Sequence, residues 1–348
     1  MLMSRSSNED RCSSRKSAAC EVQLSEAVEL HETPHKGGVG AFARHAIARG
    51  DNILTEAPLL QWRCAAHDQA TNAAIHNLVV STLDVTDRAA YWNLHQDAAH
   101  GSAKTALGVW LSNSFPTDGT DDGRNSVAQR SAAIFKGYSR FNHSCRPNAH
   151  GCWNARRGKQ TIHALRPIEA GEEITVDYLG VCGATRADRQ RSLISDMGFV
   201  CKCVACSLSG DALDASNRRQ ARIGVLHALI AARLRGAVDI EEKKEGAAAA
   251  VPPALEEEEE GSRARVAARF LDLVCEQLEL MEVEGLDALA WDLLWAASEH
   301  CRARNDQVDA VKWAARAAEC ARLALGEASD EHERYHRRAT ADGVQGVT

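Results

Sequence analysis

Three thiols fall within six residues of this 348-residue sequence, at Cys201, Cys203 and Cys206. They are close enough to ligate one tetrahedral zinc ion, which takes four ligands in a closed structural site, so one ligand must come from elsewhere in the chain. A reduced cluster without metal is the plain alternative, although crowded thiols oxidise or scavenge metal. Cys12, Cys20, Cys64, Cys152, Cys182, Cys275, Cys301 and Cys320 show no metal-like spacing and read as buried small apolar residues or exposed bystanders. A second dense stretch is Arg140-Phe141-Asn142-His143-Ser144-Cys145-Arg146-Pro147-Asn148. Its amide and imidazole offer hydrogen-bonding groups to a polar cofactor edge, and Pro147 stiffens the turn beyond them. A Cys/His hydrolase uses the same residue types. Neighbours this close on an extended chain are expected to point to opposite faces, which makes a His143 and Cys145 dyad awkward.

Two further segments carry weaker signals. Gly38-Val39-Gly40-Ala41-Phe42-Ala43 satisfies the glycine part of a dinucleotide fingerprint. That fingerprint also needs a full helix after the glycines, yet Gly50 and Asp51 follow within a few residues and a new strand begins at Asn52. A glycine turn between two strands remains, either an ordinary hairpin turn or one whose missing Cβ atoms let backbone groups approach a ligand. Glu172-Glu173-Ile174-Thr175-Val176-Asp177-Tyr178 is a turn feeding a β-branched strand that ends in one of only four tyrosines. A phenol there can orient an amine or simply pack. The adjacent Glu172 and Glu173 read as solvated surface groups.

These segments need elements to position them. Residues 1–20 are rich in Ser and Arg and read as a disordered tail. From Val22 short strand-like pieces alternate with Gly and Pro, so a mainly β region is expected, interrupted by a helical insertion at about 67–113. Strand signals return from Ala132 to Tyr178, with turns at Arg157-Gly158 and Ala170-Gly171. A helix over Arg186 to Met197 leads into the cysteines. Beyond Ser207, Ala, Leu, Glu and Arg dominate, predicting helices over Asp214–Arg235, Ser262–Val283, Leu286–Ala303 and Gln307–Leu325. The run Glu256–Glu260 reads as an acidic loop at about 241–260, and the last two helices resemble a tetratricopeptide-type pair. The domain reading is a tail (1–20), a β-rich body (21–181), a helix with the cysteine cluster (182–208) and a helical domain (209–348).

Composition narrows the function. A hydrophobic fraction of 45 % and a charged fraction of 26 % describe a globular chain rather than a disordered one. Apolar stretches stay well short of the ~20 residues needed to cross a bilayer, and the N-terminus lacks a secretory core, so residence in nucleus and/or cytoplasm is expected. A net charge of −7 argues against bulk, charge-driven nucleic-acid binding and is compatible with a basic protein partner; direct sequence-specific nucleic-acid binding is not expected either. Nothing in the sequence sets the oligomeric state.

Taken in order, the segments ETPHKGGVGAFARHAIARGDNILTEAPLL, RFNHSCRPN, GEEITVDY and GFVCKCVAC resemble SET-domain protein lysine methyltransferases. The likeness is to the SET and MYND subgroup and its fungal relatives. It implies an α+β fold: a SET-type β-clip of short sheets with a pseudoknot, a helical insertion, a post-SET zinc cluster and an all-helical C-terminal region. It places Gly38, Val39, Gly40 and Ala41 along S-adenosylmethionine, with Asn142 and His143 on the same cofactor and Phe199 packing on its adenine. Tyr178 matches the catalytic tyrosine. Cys145 matches the fourth ligand of Zn²⁺ beside Cys201, Cys203 and Cys206. The implied substrate is a protein with a reactive lysine, such as a histone tail. Three features depart from the family. Between Pro58 and Ala132 the only cysteine is Cys64, so the MYND finger is missing. Met197 stands where several relatives carry an aromatic, which leaves the degree of methylation open. The helical tail is not explained by the SET motifs. A noncatalytic adaptor that binds partners through this tail is the competing expectation.

Overall fold

The computed structural model describes residues 24–33, 36, 38–63, 69–97, 100–117, 131–180, 182–244 and 270–341. The tail 1–20, Cys64 and Glu256–Glu260 lie outside them. Strand β1 (Val28–Thr33) pairs antiparallel with β2 (Gly38–Ala43), Val28 facing Ala43 and Thr33 facing Gly38. The glycine turn expected from the sequence is corrected here: Gly38 and Gly40 are strand residues, and the chain reverses before Gly38. Small side chains explain this, because Ala41 and Ala43 alternate with Phe42 and bury completely in the β core.

Three more sheets complete the β body. β3 (Asn52–Glu56) and β8 (Ala149–Asn154) flank β9 (Lys159–Ala164). β4 (Leu60–Arg63) and β5 (Phe115–Pro116) flank β6 (Ser131–Ile134). All of these pairs are antiparallel. The exception is β7 (Asn142–His143), which lies parallel to β10 (Thr175–Val176). Phe135, Phe141, Ile162, Ile174 and Val176 fill the core between the sheets. Glycines at the two expected turns, Gly158 and Gly171, take φ of 59° and 79°, a left-handed conformation that other residues adopt at a cost.

Helices α1 (Gln69–Thr82), α2 (Val85–Trp92) and α3 (Ala106–Asn113) follow β4. Asp84 and Thr105 cap α2 and α3 by accepting from the amides of Asp87 and Gly108. Ile75 and Val79, one turn apart, pack with Tyr91, Val109 and Trp110 against Leu60 and Ile134 of the sheet.

Beyond β10 the described residues are mainly helical: α4 (Arg186–Met197), α5 (Gly210–Lys244), α6 (270–283), α7 (Trp291–Arg302), α8 (Gln307–Leu325) and α9 (Asp330–Ala341). α5 is longer than its apolar periodicity predicts. α9 is a helix the sequence reading did not anticipate, since Tyr335 is its only large apolar residue; that ring stacks on Trp295 at 4.6 Å and its hydroxyl donates to Asp292. In α8, Ala310, Ala314, Ala317, Ala321 and Ala324 are fully buried, and such small side chains let α7 and α9 pack closely on it.

The helical region is joined to the β body by apolar and polar contacts. Leu165, at the end of β9, packs with Ile223, Met281 and Ala321. Next to it, Glu284 has a side chain only 1 % exposed and accepts from Arg146 (2.6 Å), Arg219 (2.7 Å), Ser216 (2.9 Å) and Gln220 (3.3 Å). Burial works against the charge of this carboxylate, but the bonds from Arg146, Arg219 and Ser216 prevail and hold its pKa below the usual range. The lowered pKa means that this stabilisation is present above the ordinary carboxylate value of 4.5 and is lost as pH falls through the lower folded value. Glu284→Gln is expected to cost on the order of 2 to 3 kcal/mol at pH 7. That is less than the loss from a fully buried pair, since the arginines keep about a quarter of their surface in water. Urea denaturation at pH 7 and at pH 3.5 measures it, and the difference between wild type and variant should shrink at the lower pH.

Candidate functional site

The site forms where β7 runs beside β10. Asn142 is half-buried, and its amide donates to Glu173 at 2.9 Å and stands 3.5 Å from the Thr33 hydroxyl. Glu173 also takes an ion pair from Lys36 at 2.5 Å. Neither glutamate of the turn is a free surface group, contrary to the sequence expectation. Glu172 accepts from Arg166, Asn148 and the Glu169 amide, while Glu173 binds Asn142 and Lys36. Gly40 lies directly over this network: a Cβ there would stand 2.8 Å from the Asn142 amide nitrogen and 2.9 Å from Glu173. At Gly38 nothing lies within 4 Å of the same position, leaving bare, open backbone. Val39 is exposed, whereas Ala41 is fully buried, backbone included, with its carbonyl taken by the Ile174 amide, so of the two only Val39 offers surface to a ligand.

His143 is buried, and both ring nitrogens are engaged by the chain itself. Nδ1 accepts from the Tyr178 amide at 3.1 Å, and Nε2 lies 3.3 Å from Cys145 Sγ. Burial is the main cause that pushes its pKa down to about 4. The sequence reading of His143 and Cys145 as opposite-facing is thus corrected. Residues two apart on an extended chain share a face, because side chains alternate with period two.

Tyr178 stands two residues beyond the end of β10. Its hydroxyl donates to the Phe141 carbonyl at 2.6 Å, and its ring meets His143 at 5.3 Å and Phe199 at 6.5 Å between centroids. Burial, aided by the charge of Glu173, raises this phenol above its ordinary range, so it stays protonated at neutral pH. Phe199 arrives by way of α4. Thr185 caps the start of that helix, and Gly198 ends it with φ 71°, its amide bonding back to Ile194.

The same turn delivers the cysteines. Gln190 of α4 grips Cys201 at two points, donating to its carbonyl at 2.7 Å and accepting from its amide at 3.1 Å. Sγ atoms of Cys145, Cys201, Cys203 and Cys206 all lie within 4.8 Å of one another, and Cys145 and Cys206 approach to 3.6 Å. A tetrahedral ion with metal–sulfur bonds of about 2.3 Å sets its sulfurs about 3.8 Å apart, so this donor set can hold one. Bonding among the thiols pulls Cys203 and Cys206 below the ordinary thiol range and pushes Cys145 and Cys201 above it.

Gly40, Asn142, His143, Tyr178 and Phe199 are therefore linked through direct neighbours, and Cys145 joins the three clustered thiols. Sequence reasoning missed Thr33, Lys36 and Glu173, whose roles depend on strand partners more than a hundred residues away.

Part of the chain is similar to known proteins. Residues 38–179 match the family model of the SET domain. Histone-lysine N-methyltransferase set5 of Schizosaccharomyces pombe is 32 % identical over 178 residues, covering 50 % of this chain and 49 % of that protein. Histone-lysine N-methyltransferase ATXR4 of Arabidopsis thaliana is 35 % identical over 74 residues, 21 % of this chain and 22 % of its own. Histone-lysine N-methyltransferase SMYD3 of Mus musculus is 36 % identical over 73 residues, 21 % of this chain and 16 % of its own. The chain thus carries a SET domain and is related to the SET5, SMYD and ATXR lysine methyltransferases. It spans about half the length of set5. Among the described residues no helix is long and apolar enough to cross a membrane.

The two glycines make a direct test of the geometry. Gly40→Ala is expected to destabilise the fold by about 1 to 3 kcal/mol, because the methyl must displace Asn142 or Glu173. Gly38→Ala meets open space and should change stability by less than about 0.5 kcal/mol. Chemical denaturation of both variants distinguishes them.

Proposed function

We propose that the protein is a zinc-containing protein lysine N-methyltransferase that uses S-adenosylmethionine and acts on histone or other protein lysines. The observation that carries this reading is the meeting of Gly40, Asn142, Tyr178 and Phe199 around the parallel pair β7 and β10. The open backbone at Gly38 and Val39 and the aromatic edges of Phe199 and Tyr178 suit a cofactor with polar and aromatic parts. When bound, S-adenosylmethionine supplies a methyl group already activated by its sulfonium charge.

The chain then has to orient a neutral amine and exclude water. A lysine ammonium, with an ordinary pKa near 10.4, is favoured in its neutral form by a dry channel. The Tyr178 hydroxyl has spent its one proton on the Phe141 carbonyl, so towards an amine it can only accept. Accepting an N–H there turns the nitrogen lone pair away from the phenol. Tyr178 is thus an orienting group rather than a base. Cys145, Cys201, Cys203 and Cys206 would hold Zn²⁺ in a closed structural role that keeps Phe199 and the Cys145 loop together.

Tyr178→Phe is expected to reduce methyl transfer about 10²- to 10³-fold, the scale seen when one aligned hydrogen-bonding group is removed. Cofactor binding by calorimetry should stay within about twofold. Radiolabelled methyl transfer to core histones and to lysate proteins measures the first effect, and full activity in the variant would overturn the role of Tyr178. Metal analysis should give one zinc per chain, reduced in Cys203→Ser.

A further inference from the structure

One buried cation beside the thiols has no role in the reading above. Arg189, in the first turn of α4, is 6 % exposed. Its Nη1 donates to the Ala184 carbonyl at 2.6 Å, its Nη2 stands 4.0 Å from Cys206 Sγ, and its Nε is buried with no hydrogen-bond partner. Arginine is seldom buried without an anion, because removing its charge from water is costly unless an opposite charge compensates. A backbone carbonyl accepts one of its protons but supplies no net charge. Asp177 also faces it, but its oxygens accept from the amides of Leu179 and Gly180 rather than from the guanidinium, so its charge offsets Arg189 only at longer range.

Neutral thiols would not compensate Arg189 either, whereas a tetrathiolate would. Zinc carries two positive charges and four thiolates carry four negative ones, so the complete site bears a net −2 in a place where Cys201 and Cys206 are buried. Lys202, between two of the ligands, is exposed, and water and salt screen its charge. Arg189 lies on the side where Cys145 and Cys206 meet, two ligands 61 positions apart in the chain.

We propose that Arg189 is the fixed counter-charge of the metal site: its buried guanidinium offsets part of the tetrathiolate charge and keeps Cys145 of the β body against Cys206 of the cysteine loop. It is a positioning residue, acting on the metal through the sulfurs. The proposal rests on the zinc reading and adds to it a residue outside the ligand set.

The test uses the full chain, wild type, Arg189→Met and Arg189→Lys. Zinc affinity is measured by competition with a chromophoric chelator at fixed pH, and the thiolate-to-metal charge-transfer band is recorded after cobalt substitution. Arg189→Met should weaken zinc about 10- to 100-fold, the usual effect of losing an outer-sphere partner, and should move the cobalt band to lower energy as the sulfurs become more electron-rich. Arg189→Lys, which keeps the charge, should recover most of both effects. Unchanged zinc affinity in Arg189→Met overturns the proposal. So does weakened zinc with an unshifted cobalt band, or Arg189→Lys behaving like Arg189→Met, since either outcome reduces Arg189 to packing. A wild-type chain that takes up no zinc rejects the metal reading itself, a result distinct from these three.

Discussion

A two-residue parallel ladder cannot hold itself together, and the site depends on side chains that brace it, of which Asn148 makes more bonds across the gap than Asn142 or His143. Asn148 is 1 % exposed and uses both ends of its amide across the gap between the β7 loop and the β10 turn. Its nitrogen donates to Glu172 Oε1 at 3.0 Å and to the Glu173 carbonyl at 2.9 Å, while its oxygen accepts from the Thr175 amide at 2.8 Å. Glu172 keeps Arg166 as a second donor, but the amide of the buried Thr175 would lose its partner, and an unsatisfied buried group costs more than a typical hydrogen bond contributes. Asn148 therefore sets the register in which Thr175 faces Asn142 and Val176 faces His143. That register in turn brings Tyr178 beside His143. An aspartate would lose the two donated bonds, and a leucine would lose all three.

Local signals were legible where a residue type is tied to backbone geometry. The helix over Arg186–Met197 and the helix over Gln307–Leu325 stand at the expected residues, because Thr185, Gly198 and Asp306 provide unambiguous caps. The thiol spacing pointed to a metal site, and its fourth member came from resemblance alone, since no spacing rule links Cys145 to Cys201. What stayed hidden was long-range and polar. Glu173 looks like any turn glutamate until Lys36 and Asn142 are folded against it. α9 was hidden for the opposite reason: one buried Tyr335 fixes a helix whose other residues are mostly polar, so it carries almost no apolar period.

Arg146 shows why the helical region cannot be treated as an appendage. It sits between Cys145 and Pro147, in the loop that carries a thiol of the cluster, and its guanidinium is paired with Glu284 at the end of α6. Arg219 and Ser216 of α5 meet the same carboxylate. The loop is thus gripped from the β side by Asn148 and from the helical side by Glu284, with two residues between Cys145 and Asn148. Arg49 with Asp287, and Asn154 with the Ala328 carbonyl, repeat the pattern farther along the same seam.

The two halves of the site meet in the ring of His143. Because Nδ1 accepts from the Tyr178 amide, the neutral ring must carry its proton on Nε2, which makes it a donor towards Cys145 Sγ. Burial keeps the ring neutral and so keeps this tautomer in place. An N–H directed at sulfur stabilises a thiolate there, as an outer-sphere donor does for a metal ligand. The same ring fixes the backbone from which the phenol projects. A displacement of Cys145 therefore reaches Tyr178 through one imidazole, and the cluster bears on the position of the tyrosine without touching it. The four-thiol cluster and the Tyr178 phenol are, in this geometry, parts of one hydrogen-bonded unit rather than separate neighbours.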